Sequence, residues 1–341
     1  MSLNDVPPPP SGPRRTVSLA LFIVVVLVVA GAAVATTAGY YALRPASSTN
    51  SGHTVAVTDD LGRTVKAPYD PSRVAVLSPS IMDIMFRLGL RSHVVGVDCY
   101  APALGGLSED YSPDQIALWN LSSSMCVEVG PTFDAESLVN VTPQLVLAST
   151  IVSVAAVEEI TSTLGIPVVM LQPPTLSGIL VDVSLVAEIF GVTTSAQSLN
   201  GELSAALYNA TVLDQSLPTF PTVLLTYDAD SNGYWTFGPS TFGQSLIEIA
   251  AGASISANST TAYPELSPGQ VLVADPQWII YGVGFGLNES TYAGGPLWSE
   301  FPAVQHGNVS GIDSNWFTEP DPTMILKGIP ALLAILHPAS L

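Results

Sequence analysis

Residues 73–90 read RVAVLSPSIMDIMFRLGL. Val74 to Leu77 is a short, unbroken apolar run, the pattern of a strand buried on both faces of a parallel sheet. Ile81 to Leu88 is amphipathic at helical spacing, so a helix follows almost at once. Between them Ser78-Pro79-Ser80 forms the junction. Ser80 is placed to cap the helix at Ile81-Met82, Pro79 removes one donor, and the exposed N–H groups and hydroxyls suit a polar ligand. In open parallel sheets ligands bind beyond the carboxyl ends of strands, where such junctions lie.

The alternation continues on both sides. Upstream, Thr54–Thr58 and Arg63–Lys66 flank the turn-forming Asp59-Asp60-Leu61-Gly62 and predict a small hairpin. Downstream come strands over 94–97, 145–148 and 168–171 and helices over 135–140 and 154–164. The second strand ends in Ser149-Thr150, a junction matching the first. Together these segments predict an N-terminal α/β lobe over 54–171.

A helical stretch, 172–218, follows. It breaks at Gly191-Val192-Thr193, and its second piece, Ser195 to Asp214, is long enough at 1.5 Å per residue to run about 30 Å between lobes. Strand and helix then alternate again: Thr222–Tyr227, YWTFG at 234–238, a helix over 242–250, Val309–Ile312, and a last helix from Pro322 to Leu336. This predicts a C-terminal α/β lobe over 219–341. The fold class is α/β, two lobes with central parallel sheets joined by a long helix.

Residues 16–43 carry no charge, with Arg14 and Arg15 before them and Arg44 after. Such a run can cross a hydrocarbon core of roughly 30 Å with some tilt, and the arginine doublet places residues 1–15 in the cytoplasm. A retained transmembrane anchor is favoured over a cleaved signal peptide, since the run exceeds an ordinary apolar h-region and no Cys follows it to take a lipid. Ala33-Val34-Ala35 would serve as the cleavage site in the alternative. Residues 44–53, polar and flexible, tether the exported part. The expected location is the cell membrane, single-pass, with the binding domain outside. Asn120, Asn209, Asn258, Asn288 and Asn308 stand in glycosylation sequons; a sixth, at Asn140, is weakened by Pro143.

Cys99 and Cys126 are the two cysteines. Outside the cell an isolated pair reads first as a disulfide, then as two buried thiols, last as a functional thiol. The formal net charge is −19, from 28 acidic and 9 basic residues. After Arg91 the one Lys or Arg is Lys327, which excludes a nucleic-acid surface. The acidity serves solubility, an unusual medium or a basic partner. His53, His93, His306 and His337 have no metal-ligand spacing, so no zinc or manganese site is expected. No nucleophile elbow, phosphate loop or His-Glu-X-X-His stretch is present, and catalysis is not expected.

Three stretches in order, TDDLGRTVKAPYDPSRVAVLSPSIMDIMFRLGLRSHVVGVD, LVNVTPQLVLAS and AVQHGNVSGID, resemble the extracytoplasmic substrate-binding proteins of ABC importers for vitamin B12 and iron-siderophores. The similarity spans Thr54 to Pro338. It implies two lobes on one rigid long helix, with ligand held between them. It picks out Tyr100, Trp235, Tyr263 and Trp316 as cleft-facing aromatics beside Ser78, Ser80, Ser149 and Thr150; aromatic faces suit a large planar or macrocyclic ligand.

Phenolates of Tyr100, Tyr227, Tyr263 or Tyr281 could hold bare ferric iron, though nothing fixes their spacing. The scarcity of cations favours a cobalamin-like, haem-like or weakly charged chelate over a strongly anionic siderophore. The resemblance also implies docking on an ABC permease and its ATPase through one acid per lobe. Glu136 matches the first position. The second falls on Gly269, with Glu265 as the nearest acid. The expected function is therefore a membrane-tethered solute-binding protein with no cofactor of its own. The anchor without a lipid-accepting Cys suits an archaeon or another cell lacking an outer membrane. A tethered sensor or adhesion ectodomain is the alternative, and the short cytoplasmic tail argues against it.

Overall fold

A computed structural model of the chain describes residues 53–99, 113–129, 133–217, 220–284, 286–295 and 297–338. The predicted tail and anchor, and all of the linker but His53, lie outside these residues; among the described residues no helix is long and apolar enough to cross a membrane. Strands β1 (Thr54–Thr58) and β2 (Thr64–Pro68) pair antiparallel as the expected hairpin. Its turn is held by Asp59, whose Oδ1 accepts the N–H groups of Leu61 and Arg63 at 3.1 and 2.9 Å. Asp59 Oδ2 accepts the Arg63 guanidinium at 2.6 Å and the Met170 N–H at 3.2 Å, which fastens the hairpin to the edge of the sheet behind it.

The first sheet is β3 (Val74–Leu77), β4 (Val94–Asp98), β5 (Cys126–Val127), β6 (Leu145–Ala148) and β7 (Val168–Met170), in the order β5-β4-β3-β6-β7 and parallel throughout. All four residues of β3 and of β6 are buried, as uninterrupted apolar runs require in a sheet covered on both faces. Helices α1 (Pro79–Arg87), α2 (Pro113–Trp119), α3 (Ala135–Asn140) and α4 (Val154–Glu158) lie between the strands, and a wider π-type turn over Glu159–Thr163 completes the last. The chain leaves β3 toward one edge through β4 and β5, then returns to β6 and β7 on the other side. The reversal leaves a crevice at the carboxyl ends of β3 and β6. Cys99 and Cys126, at the end of β4 and the start of β5, form a disulfide with Cα atoms 5.1 Å apart.

Two helices follow. α5 (Leu176–Phe190) ends where Gly191 turns left-handed, with φ 70°. A Cβ there would lie 2.2 Å from the Tyr69 hydroxyl, so glycine is needed for space as well as conformation. α6 (Thr193–Ser216) runs 24 residues, about 36 Å at 1.5 Å per residue. Ala196, Leu199, Leu203 and Ala210 are its buried face, and Asn200 Nδ2 donates to the Leu180 carbonyl and Ser184 Oγ to clamp α6 on α5.

The second sheet contains β8 (Thr222–Ala229), β9 (Tyr234–Thr236), β10 (Ala253–Ser254), β11 (Glu265–Leu266), β12 (Trp278–Val283) and β13 (Val309–Asp313). Its order is β11-β9-β8-β12-β13, with β10 also on β8. The expectation of a parallel sheet holds for β8, β10, β12 and β13 but not for the other edge, where β9 folds back antiparallel on β8 and carries β11. Helices α7 (Phe242–Ile249), α8 (Pro268–Ala274), α9 (Glu289–Ala293), α10 (Pro302–Gln305) and α11 (Ile329–Leu336) belong to this lobe. The last helix starts at Pro322 as expected, widens into a π-type turn over Met324–Gly328 and continues as α11.

One continuous cluster of buried apolar side chains joins Val74 and Val76 of the first sheet, through Ile179, Val186 and Leu203, to Val223, Leu225 and Ile280 of the second. The lobes thus share a core. Asn120, Asn209, Asn258 and Asn288 are exposed and Asn308 is half-buried; Asn288 Oδ1 is engaged in capping α9, accepting the Ser290 N–H at 2.9 Å.

Candidate functional site

The carboxyl ends of β3 and β6 face the second lobe across a groove of about 240 Å³. On the first-lobe side it is lined by Ser78 and Pro79 after β3, by Ser149, Thr150 and Ile151 after β6, and by Gln172 after β7. The lining follows from topology, since these are the residues on which buried strands emerge at the switch point. Helix α1 begins at Pro79, two residues earlier than predicted, with Ser78 in extended conformation at its start and without a capping bond from the Ser78 side chain. Proline is suited to the first helical position because the N–H it lacks would be unpaired there. Ser80 therefore lies inside the helix, buried, and shares a 2.7 Å hydrogen bond with the Ser78 hydroxyl instead of capping. At the second junction Thr150 donates through N–H and hydroxyl to Gln172 Oε1, and the Gln172 N–H donates to Asp60 Oδ2 at 2.6 Å.

The facing wall is aromatic. Tyr227 near the end of β8, Phe242 at the start of α7 and Tyr263 before β11 surround Phe237, at centroid distances of 5.0, 5.5 and 6.2 Å. Phe237 itself is 2% exposed. It is admitted by Gly243, where a Cβ would fall 2.2 Å from the ring. Thr318, Glu319 and Pro320, after β13, complete this wall. Burial first, then the neighbouring Tyr263 and Asp228, push the Tyr227 phenol up to about 12. Burial, then the Glu319 carboxylate, also raise Tyr263. Both phenols stay protonated near neutral pH and act as hydrogen-bonding groups, an environment unfavourable to phenolate.

Of the residues singled out from sequence, Ser78, Ser149, Thr150, Tyr227 and Tyr263 meet in the groove. Ser80, Trp235 and Trp316 are not part of its lining, and Tyr100 lies outside the described residues. Trp235 is a strand residue of β9 opposite Glu265. Trp316 closes a short 3-10 turn after β13, with the Lys327 ammonium 5.8 Å from its ring centroid. Tyr281 is buried against Tyr292, with centroids 5.0 Å apart, in the cluster that also contains Trp298 and Phe301. Phe237, Phe242, Gln172 and Glu319 were not foreseen. Among the described residues no group of three or more His, Cys, Asp or Glu is arranged to hold a metal.

The lobes are also tied by polar contacts. Asp83 Oδ2 on α1 accepts Arg87 Nε at 2.8 Å and both the N–H and the hydroxyl of Thr323, at 3.2 and 3.1 Å. Arg87 Nη2 donates to the same hydroxyl at 2.9 Å.

A groove between two α/β lobes, floored by strand ends and walled by aromatics, has its counterpart in sequence: residues 74–316 match the family model described as periplasmic binding protein. The chain belongs to the periplasmic binding protein family. Members similar to it include a cobalamin-binding protein of Halobacterium salinarum, 27% identical over 280 residues that cover 80% of this chain and 71% of the relative. Among solved structures, the vitamin B12-binding protein BtuF of Vibrio cholerae superposes with a TM-score of 0.63 at 20% identity, covering 79% of this chain and 98% of that one. The haem-binding protein RhuT of Roseiflexus sp. RS-1 gives 0.64 at 21%, with 79% and 99% covered. These structural likenesses concern the fold. As a periplasmic binding protein the chain stands among binding proteins, not enzymes.

Proposed function

We propose that this periplasmic binding protein captures a metal-chelate macrocycle, a corrinoid foremost, in the groove between its lobes and delivers it to an ABC permease. One observation carries the reading: the aromatic wall of Tyr227, Phe237, Phe242 and Tyr263 faces hydroxyl and amide groups of Ser78, Ser149, Thr150 and Gln172 at the strand ends. Flat apolar contact on one side and hydrogen bonds on the other suit a ring system with a polar fringe. The cobalamin-binding relative, aligned over 80% of this chain, supports the choice of corrinoid.

In this reading residues 16–43 anchor the protein in the membrane and 44–53 let the lobes stand off its outer face. Glu136 on the exposed start of α3 serves as one docking acid. Glu265, the nearest acid to Gly269, is the candidate for the second, and burial and the adjacent Asp230 raise its carboxyl. Melting of the full-length protein in mild detergent, with cyanocobalamin, cobinamide, haemin and a ferric hydroxamate added in turn, tests the reading. A ligand that binds the native state alone raises the melting temperature. A corrinoid is expected to do so, and an unchanged melt across the panel refutes capture of a chelate.

A further inference from the structure

Three hydrogen bonds fix Gln172 in the lining of the groove. Its backbone N–H donates to Asp60 Oδ2 at 2.6 Å, and its side-chain Oε1 accepts both the N–H and the hydroxyl of Thr150, at 3.3 and 3.2 Å. Asp60 is anchored in turn, its N–H donating to the Met170 carbonyl at 3.0 Å. A backbone N–H can only donate, so the Gln172 atom that meets Thr150 is the amide oxygen, and the orientation of the amide follows from the protein alone. Nε2 then faces away from Thr150 with both of its N–H groups, and among the described residues no hydrogen bond reaches it. Hydroxyls on the same wall are engaged with protein groups: Thr150 with Gln172, and Ser78 with Ser80 at 2.7 Å.

Resting on the assignment of the groove as a chelate site, we propose that Gln172 is a specificity-determining donor: its Nε2 binds a carbonyl oxygen on the fringe of the ligand, so the groove selects a macrocycle that carries carboxamides or similar carbonyl acceptors. Thr150 and Asp60 are positioning residues that act through it. An untethered glutamine turns its amide to suit a donor or an acceptor. This one does not, because turning it would set Nε2 against the Thr150 N–H, donor against donor. A site built to pair a polar group rejects a ligand that leaves that group unpaired. The aromatic wall grips flat apolar surface of any kind. Gln172 therefore discriminates where the wall cannot.

The test is calorimetric titration with cyanocobalamin of the full-length protein in mild detergent, as wild type, Gln172→Glu, Gln172→Met and Thr150→Val. Glutamate keeps the shape and an oxygen for Thr150, but near neutral pH it presents a carboxylate oxygen where the donor was. Gln172→Glu is expected to bind about tenfold or more weakly than wild type at about pH 7.5. At about pH 4.5 the new carboxyl takes up a proton, which the Thr150 N–H directs to the oxygen facing the ligand. The gap from wild type at the same pH is then expected to close to about threefold or less. Gln172→Met has no donor at any pH and is expected to lose roughly fivefold at both. A merely structural role for Gln172 gives no recovery in acid. Thr150→Val is expected to weaken capture about threefold in the wild type and not at all in Gln172→Met. An equal loss in both backgrounds would make Thr150 a direct contact and overturn its positioning role. Wild-type affinity in Gln172→Met, or a gap for Gln172→Glu that acid leaves unchanged, overturns the donor role and leaves capture standing. No binding of cyanocobalamin by the wild type overturns the corrinoid reading and the donor role together.

Discussion

Asp83 and Thr323 stand 240 residues apart in the chain, yet Asp83 Oδ2 accepts both the backbone N–H and the hydroxyl of Thr323. The contact joins the first helix of one lobe to the segment that follows the last strand of the other. Arg87 donates to both partners, so the carboxylate, the hydroxyl and the guanidinium form one closed set. Asp83 follows the groove-lining Pro79 by four residues, and Thr323 follows the groove-lining Pro320 by three. Together with the shared apolar core this set opposes wide separation of the lobes.

Thr323→Val deletes the hydroxyl from this set while preserving shape. It is expected to cost about 1.5–3 kcal/mol, the range for hydrogen bonds to charged groups. Asp83→Ala should cost more, about 3–5 kcal/mol, because it strands a part-buried Arg87. Urea unfolding of both variants measures this, and equal stability to wild type would show that the contact is incidental.

Asp321 gives a pH signature to the same region. Burial, and then the nearby Asp83, raise its carboxyl well above the ordinary value, and its Oδ1 accepts the Met324 N–H at 2.8 Å. A native state that holds this proton longer than the unfolded chain has its full stability below the unfolded value near 3.9, and loses it as pH rises through the folded value. Asp182, raised well above the ordinary value by burial and by Asp60, adds a contribution of the same sign. Asp321→Asn keeps an acceptor for Met324 without the titration. Denaturant melts from pH 4 to 7 should show a shallower decline in the variant, and an identical slope would refute the assignment.

Much of the fold is readable from residues 73–90 because two independent patterns agree there: four consecutive apolar residues, then helical amphipathicity. The same agreement at Leu145–Ala148 places Ser149 and Thr150 in the groove by the same rule that places Ser78. What could not be read depends on contacts across long stretches of chain. Phe237 reaches the groove because β9 turns back antiparallel, a pairing that strand-like composition does not encode. Glu319 follows Trp316 by three residues, and the short turn between them decides which of the two lines the groove. The shift from Ser80 to Ser78 is local: proline at the first helical position moved the helix start upstream.

Gly243 offers a check on the aromatic wall. Adding a methyl group there drives it into the buried Phe237 ring. Gly243→Ala is expected to destabilise by about 1–3 kcal/mol through overpacking, and to weaken ligand capture because Phe237 supports Tyr227 and Tyr263. Calorimetric melting with and without cyanocobalamin reads both effects; a variant unchanged in both would show that the wall yields freely.

The disulfide pins the end of β4 to the start of β5, closing a loop of sequence separation 27. Cys99→Ser with Cys126→Ser is expected to lose about 3 kcal/mol, from the entropy the crosslink removes from the unfolded chain. Denaturant melts of the double variant and of the reduced wild type should agree. Stability independent of both treatments would mean that the apolar neighbours of β4 hold the edge strand unaided.

Tyr263 and Trp235 separate the groove as the structure draws it from the groove as sequence alone suggests. Both are aromatic and close to β11, but Tyr263 lines the groove and is 45% exposed, whereas Trp235 sits in β9 with its backbone paired to Glu265 and Asp228. An exposed ring contributes little to the fold and much to a ligand that covers it. Tyr263→Ala is therefore expected to weaken cyanocobalamin binding roughly tenfold, about 1.4 kcal/mol, with little change in melting temperature. Trp235→Ala should leave affinity within about twofold. Titration calorimetry on both variants decides the matter: a larger loss at Trp235 than at Tyr263 would move the binding surface off the strand ends and toward the outer edge of the second sheet.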